Sequence, residues 1–332
     1  MRIIVTGATS FVGRASADFL KSRNHEVITL RHSFEEEEDL LPANADVWLH
    51  FAWAGKGSAG RSDPAIQDYN VRMTMAAVRK ANELGCRRFV FAGSQAEYGH
   101  AQDGTLKKEY GMTEKSGTCS DADANSDFDV AAPVSEYGKA KLRVLSEALK
   151  YCGNKGSLLS DNALKCGSFG SCDSSDIDSG DAESQNMEYV HMRLFSVYGP
   201  GDHAGSLIDT LVKGFANGDK VELGPCAQLW NYMYIDDAAA AIALLCEKAS
   251  QGIYNVAGND NRKLSDYVRE VYELMGRCGS IEFGARADNA EGPADLSADI
   301  SRITELGFDS DKTVTFAEGI QICRHTYIPK KE

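Results

Sequence analysis

The sequence predicts an α/β fold: a doubly wound parallel sheet followed by a smaller C-terminal α/β lobe. Three observations carry this. Short apolar runs alternate with helical patterns up to about residue 200, the rhythm of a parallel sheet covered on both faces. A glycine-bearing turn, Gly7 to Gly13, joins the first apolar run to the first helical pattern. The chain has 332 residues, too many for one small core and suited to a large α/β domain with a companion.

The elements follow in order. Met1–Thr6 reads as a buried strand and 11–22 as a helix. Glu26–Leu30 is a second strand, Asp46–Phe51 a third and Arg88–Ala92 a fourth. Residues 65–85 have helical spacing, with apolar Val71, Met75, Ala77 and Val78. Residues 135–151 form the next helix and Tyr189–Phe195 the next strand. Beyond residue 200 the alternation weakens. There 205–217 reads as a helix, Asn231–Ile235 as a strand and Asp236–Lys248 as an Ala-rich helix, with later helices at Asp266–Met275 and Phe316–Thr326. This division places the sheet domain at 1–200, with 229–257 returning to the sheet, and the lobe at 201–228 and 258–332. Asn154–Gln185, rich in Ser, Gly and Asp, reads as a low-complexity surface insertion. Ser116–Asp129 is a milder acidic stretch, and Glu35–Glu38 a solvated charge run.

Composition narrows the function classes. Hydrophobic content of 43% is that of a globular protein, and no apolar run approaches the ~20 residues that span a bilayer. The first residues read as a strand, not as a secretory leader. Nine cysteines at irregular spacing, with no Cys-x-x-Cys, suggest reduced thiols in the cytoplasm, not disulfides or a metal site. A net charge of −14 argues against nucleic acid or an anionic membrane as partner.

Three motifs carry chemistry. Thr6-Gly7-Ala8-Thr9-Ser10-Phe11-Val12-Gly13 follows a strand and opens a helix. The helix N-terminus offers free N–H groups and a positive dipole to a pyrophosphate, so this is a dinucleotide turn with Ser10 at the usual middle glycine. Arg31 stands beyond the second strand, where an acidic residue would select NAD; an arginine favours the 2′-phosphate of NADP. Tyr137 and Lys141 are one helical turn apart on one face. An ammonium beside a phenol favours the phenolate, which makes the pair a proton donor and acceptor. Ser94, at the end of the fourth strand, is placed to hydrogen-bond a reacting oxygen.

Together these residues resemble the extended short-chain dehydrogenase/reductase superfamily, in its nucleotide-sugar epimerase/dehydratase/reductase group. Thr6–Gly13, Ser94 and Tyr137–Lys141 match, as do Arg193-Leu-Phe-Ser-Val-Tyr-Gly-Pro-Gly201 and Tyr232-Met-Tyr-Ile-Asp-Asp237. The resemblance implies a Rossmann-like sheet and a lobe that binds substrate. It implies Ser94, Tyr137 and Lys141 as the catalytic set. The cofactor would be held by Gly7, Thr9, Ser10, Phe11, Val12, Gly13, Arg31, Phe51, Ala52, Trp53, Asn70 and Phe195, with Tyr137 and Lys141. Ser94, Gln95, Ser196 and Trp230 would face the substrate. In many relatives the helices at 65–85 and 135–151 build a homodimer.

Departures from the family pattern narrow the choice. Family dehydratases carry Thr-Asp-Glu where Ser94-Gln95-Ala96 stands, so dehydration is not implied. Arg31 suits a cofactor that arrives as NADPH. Only fifteen residues, 31–45, separate the second strand from Asp46, a shortening that looks like the 4-keto-6-deoxy-sugar reductases. Trp230 and Ser196 replace a family arginine and asparagine that usually touch substrate. The leading expectation is NADPH-dependent reduction of the 4-keto group of a nucleotide-linked 4-keto-6-deoxy sugar. An NAD-dependent UDP-sugar 4-epimerase and a non-catalytic dinucleotide sensor stand as alternatives. His50, His191, Cys226 and Cys246 read as packed core residues.

Overall fold

The computed structural model describes residues 1–31, 33–55, 57–99, 131–152, 187–287 and 297–328. The Asn154–Gln185 and Ser116–Asp129 stretches lie outside them. The chain begins with β1 (Arg2–Thr6), α1 (Phe11–Ser22), β2 (Glu26–Leu30) and β3 (Val47–His50). There follow α2 (Gly57–Ser62), α3 (Pro64–Glu83), β4 (Arg88–Ser94), a 3-10 turn at Gln95–Glu97 and α4 (Glu136–Tyr151). Next come β5 (Glu188–Leu194), β6 (Ser196–Tyr198), α5 (Leu207–Asn217), β7 (Lys220–Glu222), β8 (Leu229–Tyr234) and α6 (Ile235–Lys248). The described chain ends with β9 (Gly252–Val256), β10 (Asn261–Lys263), α7 (Leu264–Leu274), β11 (Ser280–Glu282), α8 (Ser301–Glu305) and α9 (Phe316–Tyr327).

Six strands form a parallel sheet in the order β2-β1-β3-β4-β5-β9. Side chains alternate between its faces. Ile3, Val5 and Leu49 pack with Ala17 and Leu20 of α1 and with Ile242 and Leu245 of α6. Ile4, Trp48 and Phe89 pack on the other face with Val71 and Val78 of α3 and with Val144 and Ala148 of α4. Both faces are thus covered, as parallel strands require. The strand order reverses between β1 and β3, which opens a crevice at their carboxyl ends.

Local signals explain the helix starts. Ser10, Asp63 and Ser135 each accept a backbone N–H in the first turn of α1, α3 and α4, and Pro64 fills the first position of α3. The short helix α2 was not foreseen, because Gly-Ser-Ala-Gly-Arg-Ser has no apolar periodicity.

One expectation needs correcting. Of the segment 229–257, only Gly252–Val256 returns to the central sheet, pairing with β5. Leu229–Tyr234 pairs instead with β6, in parallel, and with β10, antiparallel. Its aromatic side chains explain this: Tyr232 and Tyr234 meet Tyr198, and Tyr232 also packs on Tyr267 and Phe316. That aromatic group belongs to the lobe core, which also holds Leu211, Phe215, Val268 and Ile320.

Candidate active site

The glycine turn is closed by its own serine. Ser10 donates its hydroxyl to Gly7 O at 2.7 Å and accepts Gly13 N–H at 3.1 Å. A residue without a hydroxyl at position 10 would lose both bonds, so Ser10 is a structural substitute for the middle glycine. Gly7 itself sits at φ +71°, in the left-handed region that favours glycine.

Beside this turn lies a cavity of about 350 Å³. Gly7, Thr9 and Ser10 line it from the turn, Arg31 from beyond β2, and Phe51, Ala52, Trp53 and Asn70 from the β3 side. Asn70 fixes its wall, accepting Ala54 N–H at 2.7 Å and donating to Ala54 O at 3.0 Å. Trp53 is held through its indole N–H, which donates to Gln67 at 3.1 Å. Gln67 in turn donates to Gly60 O in α2. The side chains of Phe11, Val12 and Phe195 do not line this cavity. Phe11 lines a separate surface cavity with Arg14, Asp18 and Pro200. Val12 packs into the core, and Phe195 packs with Tyr98 and Ala257 beyond β5.

Tyr137 and Lys141 of α4 lie beside the end of β4, the strand that ends at Ser94. Gly138 permits this: a Cβ there would stand 2.5 Å from Ala96 O, so the first turn of α4 can lie against the turn that follows Ser94. Tyr137 meets Trp53 edge-on, with ring centroids 6.0 Å apart. The Arg61 guanidinium of α2 lies 4.3 Å from the Tyr137 ring centre. The buried Lys141 ammonium donates to Ala92 O at 2.7 Å and lies 3.5 Å from the Trp53 ring centre and 5.5 Å from that of Tyr137. Burial pushes Lys141 well below the ordinary lysine range; Glu97 opposes that push and Arg61 adds to it. Gln95 follows Ser94 in the 3-10 turn. Ser196 and Trp230 lie on the neighbouring strands β6 and β8, with Trp230 packed on the Tyr98–Phe195 cluster.

The two histidines read as core residues are both buried. His50 contacts Thr6 Oγ1 at 2.7 Å, and burial first, then Lys141, lowers it to about 3. His191 is more than packing. Its Nε2 lies 2.9 Å from Glu97, and its Nδ1 lies 3.0 Å from the Tyr189 hydroxyl. Glu97 is a site residue that the sequence reading missed. It accepts Ser94 N–H at 2.8 Å and Arg193 Nε–H at 2.9 Å. Burial works to raise its carboxyl, but His191 and Arg193 outweigh burial and hold it down to about 2. The missed signal was Ser94-Gln-Ala-Glu97, the Ser-x-x-Glu spacing of a capping box.

Residues 3–158 and 179–257 match the NAD dependent epimerase/dehydratase family. Over 137 residues the sequence is 26% identical to a CDP-abequose synthase of Salmonella muenchen, covering 40% of this chain and 46% of that protein. The chain therefore spans less than half the length of this curated relative. The fold is shared with UDP-glucose 4-epimerase of Thermus thermophilus in complex with NAD, at TM-score 0.73, 17% identity and 99% of each chain. It is shared also with RMD from Pseudomonas aeruginosa complexed with NADPH, at TM-score 0.70, 16% identity and 98% of each chain.

Proposed function

The chain belongs to the NAD-dependent epimerase/dehydratase family, and from that premise we propose that it is a reductase, using NADPH to reduce the C4 ketone of a nucleotide-linked 4-keto-6-deoxy sugar. The observation that carries this reading is Arg31 lining the same cavity as the glycine turn. A cation there recognises the 2′-phosphate that separates NADPH from NADH. Gln95 and Ala96 supply no carboxyl beside Ser94, which disfavours dehydration.

The groups around the cavity suit a dinucleotide. The turn and the first N–H groups of α1 offer donors to a pyrophosphate, and Arg31 offers its guanidinium. When bound, the dinucleotide supplies the hydride. The chain's own residues manage the proton and the charge. Tyr137 donates its phenolic proton to the oxygen that becomes the new hydroxyl. Lys141 and Arg61 place two positive charges near that phenol and stabilise it after the proton has left. Ser94 Oγ accepts Ala96 N–H at 3.2 Å, so its own hydrogen can point to the same oxygen, where a preorganised donor acts most strongly as charge develops.

The test is NADPH consumption against a panel of nucleotide-linked 4-keto-6-deoxy sugars. The CDP-abequose synthase resemblance makes a CDP-linked sugar the first to try. Oxidation of NADPH with formation of a C4 alcohol is the expected result. No oxidation with any member, together with 4-epimerisation of a UDP-hexose by protein carrying tightly bound NAD, would overturn it.

A further inference from the structure

Trp53, just beyond β3, has no part in the mechanism above, yet it touches both members of the tyrosine–lysine pair. The centre of its ring lies 3.5 Å from Lys141 Nζ. Its ring meets that of Tyr137 nearly at right angles, with centroids 6.0 Å apart. Lys141 is buried, and an ammonium taken out of water costs free energy unless its contacts favour the charge. The contacts here do so. Ala92 O accepts from Nζ at 2.7 Å, the Trp53 ring stands against it, and the Phe91 ring centre is 4.6 Å away. The face of an aromatic ring attracts a cation, tryptophan most strongly, and the attraction grows where water is excluded.

The indole is held in place from behind. Its N–H donates to Gln67 at 3.1 Å, and the buried Gln67 donates to Gly60 O of α2 at 2.8 Å. The loop after β3 and α2 are packed closely: a Cβ at Gly60 would stand 2.5 Å from the Gly55 carbonyl carbon. α2 also carries Arg61, whose guanidinium lies 4.3 Å from the Tyr137 ring centre. The contacts therefore close on themselves, from Trp53 through Gln67 and α2 to Tyr137 and back to Trp53. Swinging the indole away from the ammonium would break the Gln67 bond. Other charged or titratable groups also interact with Lys141: His50 from β3, Arg61 from α2, His191 from β5, Glu97 from the 3-10 turn and Tyr137 on its own helix.

We propose that Trp53 is a positioning residue, whose indole face holds the Lys141 ammonium in place beside Tyr137. Its consequence for catalysis rests on Lys141 acting as assigned under the proposed function. Two variants leave every charged group in place. Trp53→Leu keeps an apolar side chain and removes the aromatic face; Trp53→Phe keeps a face. Both lose the bond to Gln67, so a difference between them isolates the face.

The measurement is NMR of protein carrying isotope-labelled lysine, with the Lys141 signal identified by its loss in Lys141→Met. In the wild type the Lys141 Hε protons should lie upfield of the other lysines, the ring-current mark of a group over an aromatic face. The pH midpoint of that signal should fall by about one unit in Trp53→Leu, a tenfold change in the ammonium equilibrium, and stay within about half a unit in Trp53→Phe. The alkaline limb of kcat should fall with it in Trp53→Leu. An unshifted wild-type signal overturns the inference, and that reading needs no variant to fold. A midpoint that falls equally in both variants, or in neither, overturns it too. The NMR signals need no substrate. If they behave as expected while no keto sugar is reduced, the inference about Trp53 and Lys141 stands and only the proposed reaction fails.

Discussion

At the scale of single residues, the proton-donor role proposed for Tyr137 has the sharpest test. Tyr137→Phe keeps the ring that meets Trp53 and Arg61 and removes only the proton. A fall in kcat of about 10²–10⁴, with dinucleotide binding unchanged by fluorescence titration, is the expected outcome. Arg31→Asp should raise KM for NADPH about tenfold or more, the loss of a charge-assisted hydrogen bond, and shift preference toward NADH. Steady-state kinetics with both cofactors reads this. The placement of Ser94 at the end of β4, of Tyr137 and Lys141 on α4 and of Arg31 beyond β2 was legible because each stands at a strand end or in a short helical motif. Arg61 and Glu97 were not legible as site residues. Arg61 reaches Tyr137 only through the packing of α2, and Glu97 finds Arg193 and His191 across 96 and 94 residues of chain. Local spacing carries no record of such partners.

At the scale of elements, periodicity served the buried helices best. The helix at 11–22 and the strand at 26–30 coincide with α1 and β2, because each presents one apolar face between clear breakers. The second sheet was hidden because its β6 and β10, like the β7 and β11 of a separate two-stranded sheet, are three residues each, too short to show alternation. β8 was legible as a strand but not as a member of that second sheet, because pairing depends on aromatic partners distant in sequence. Two changes test the elements that position the site. Asp63→Ala removes the cap that accepts Ala65 and Ile66 N–H and should cost about 1 kcal/mol, seen as a lower Tm with kcat unchanged. Gly138→Val should push the first turn of α4 off Ala96 O, lowering kcat about tenfold to a hundredfold, since a shift of ~1 Å at a reacting group is felt strongly, and lowering Tm as well, since overpacking costs about 1–3 kcal/mol.

At the scale of the whole molecule, stability should depend on pH through buried neutral groups. Folding holds His50 at about 3 against an ordinary 6.5. Below pH 6.5 the unfolded chain takes up this proton and the folded chain does not. His50 therefore contributes stability above 6.5 that is lost as pH falls toward 3. Thermal melts over that range should show a shallower pH dependence for His50→Asn, by about one proton. α3 and α4 are tied to each other through Asp68–Arg143 at 2.8 Å, and Tyr69 of α3 is exposed. We propose that this pair forms a homodimer interface; analytical ultracentrifugation should give twice the chain mass, and Tyr69→Glu should halve it. The central sheet also imposes an order on events at the ribosome. One of its two edge strands, β9, arrives only after α5 and β7 have been made. Until then the edge of β5 has no neighbour on that side, and an open parallel edge is a template for pairing with other chains. A fragment ending near residue 200 should therefore aggregate rather than fold, and refolding of the full chain should be slowed by this late, long-range closure.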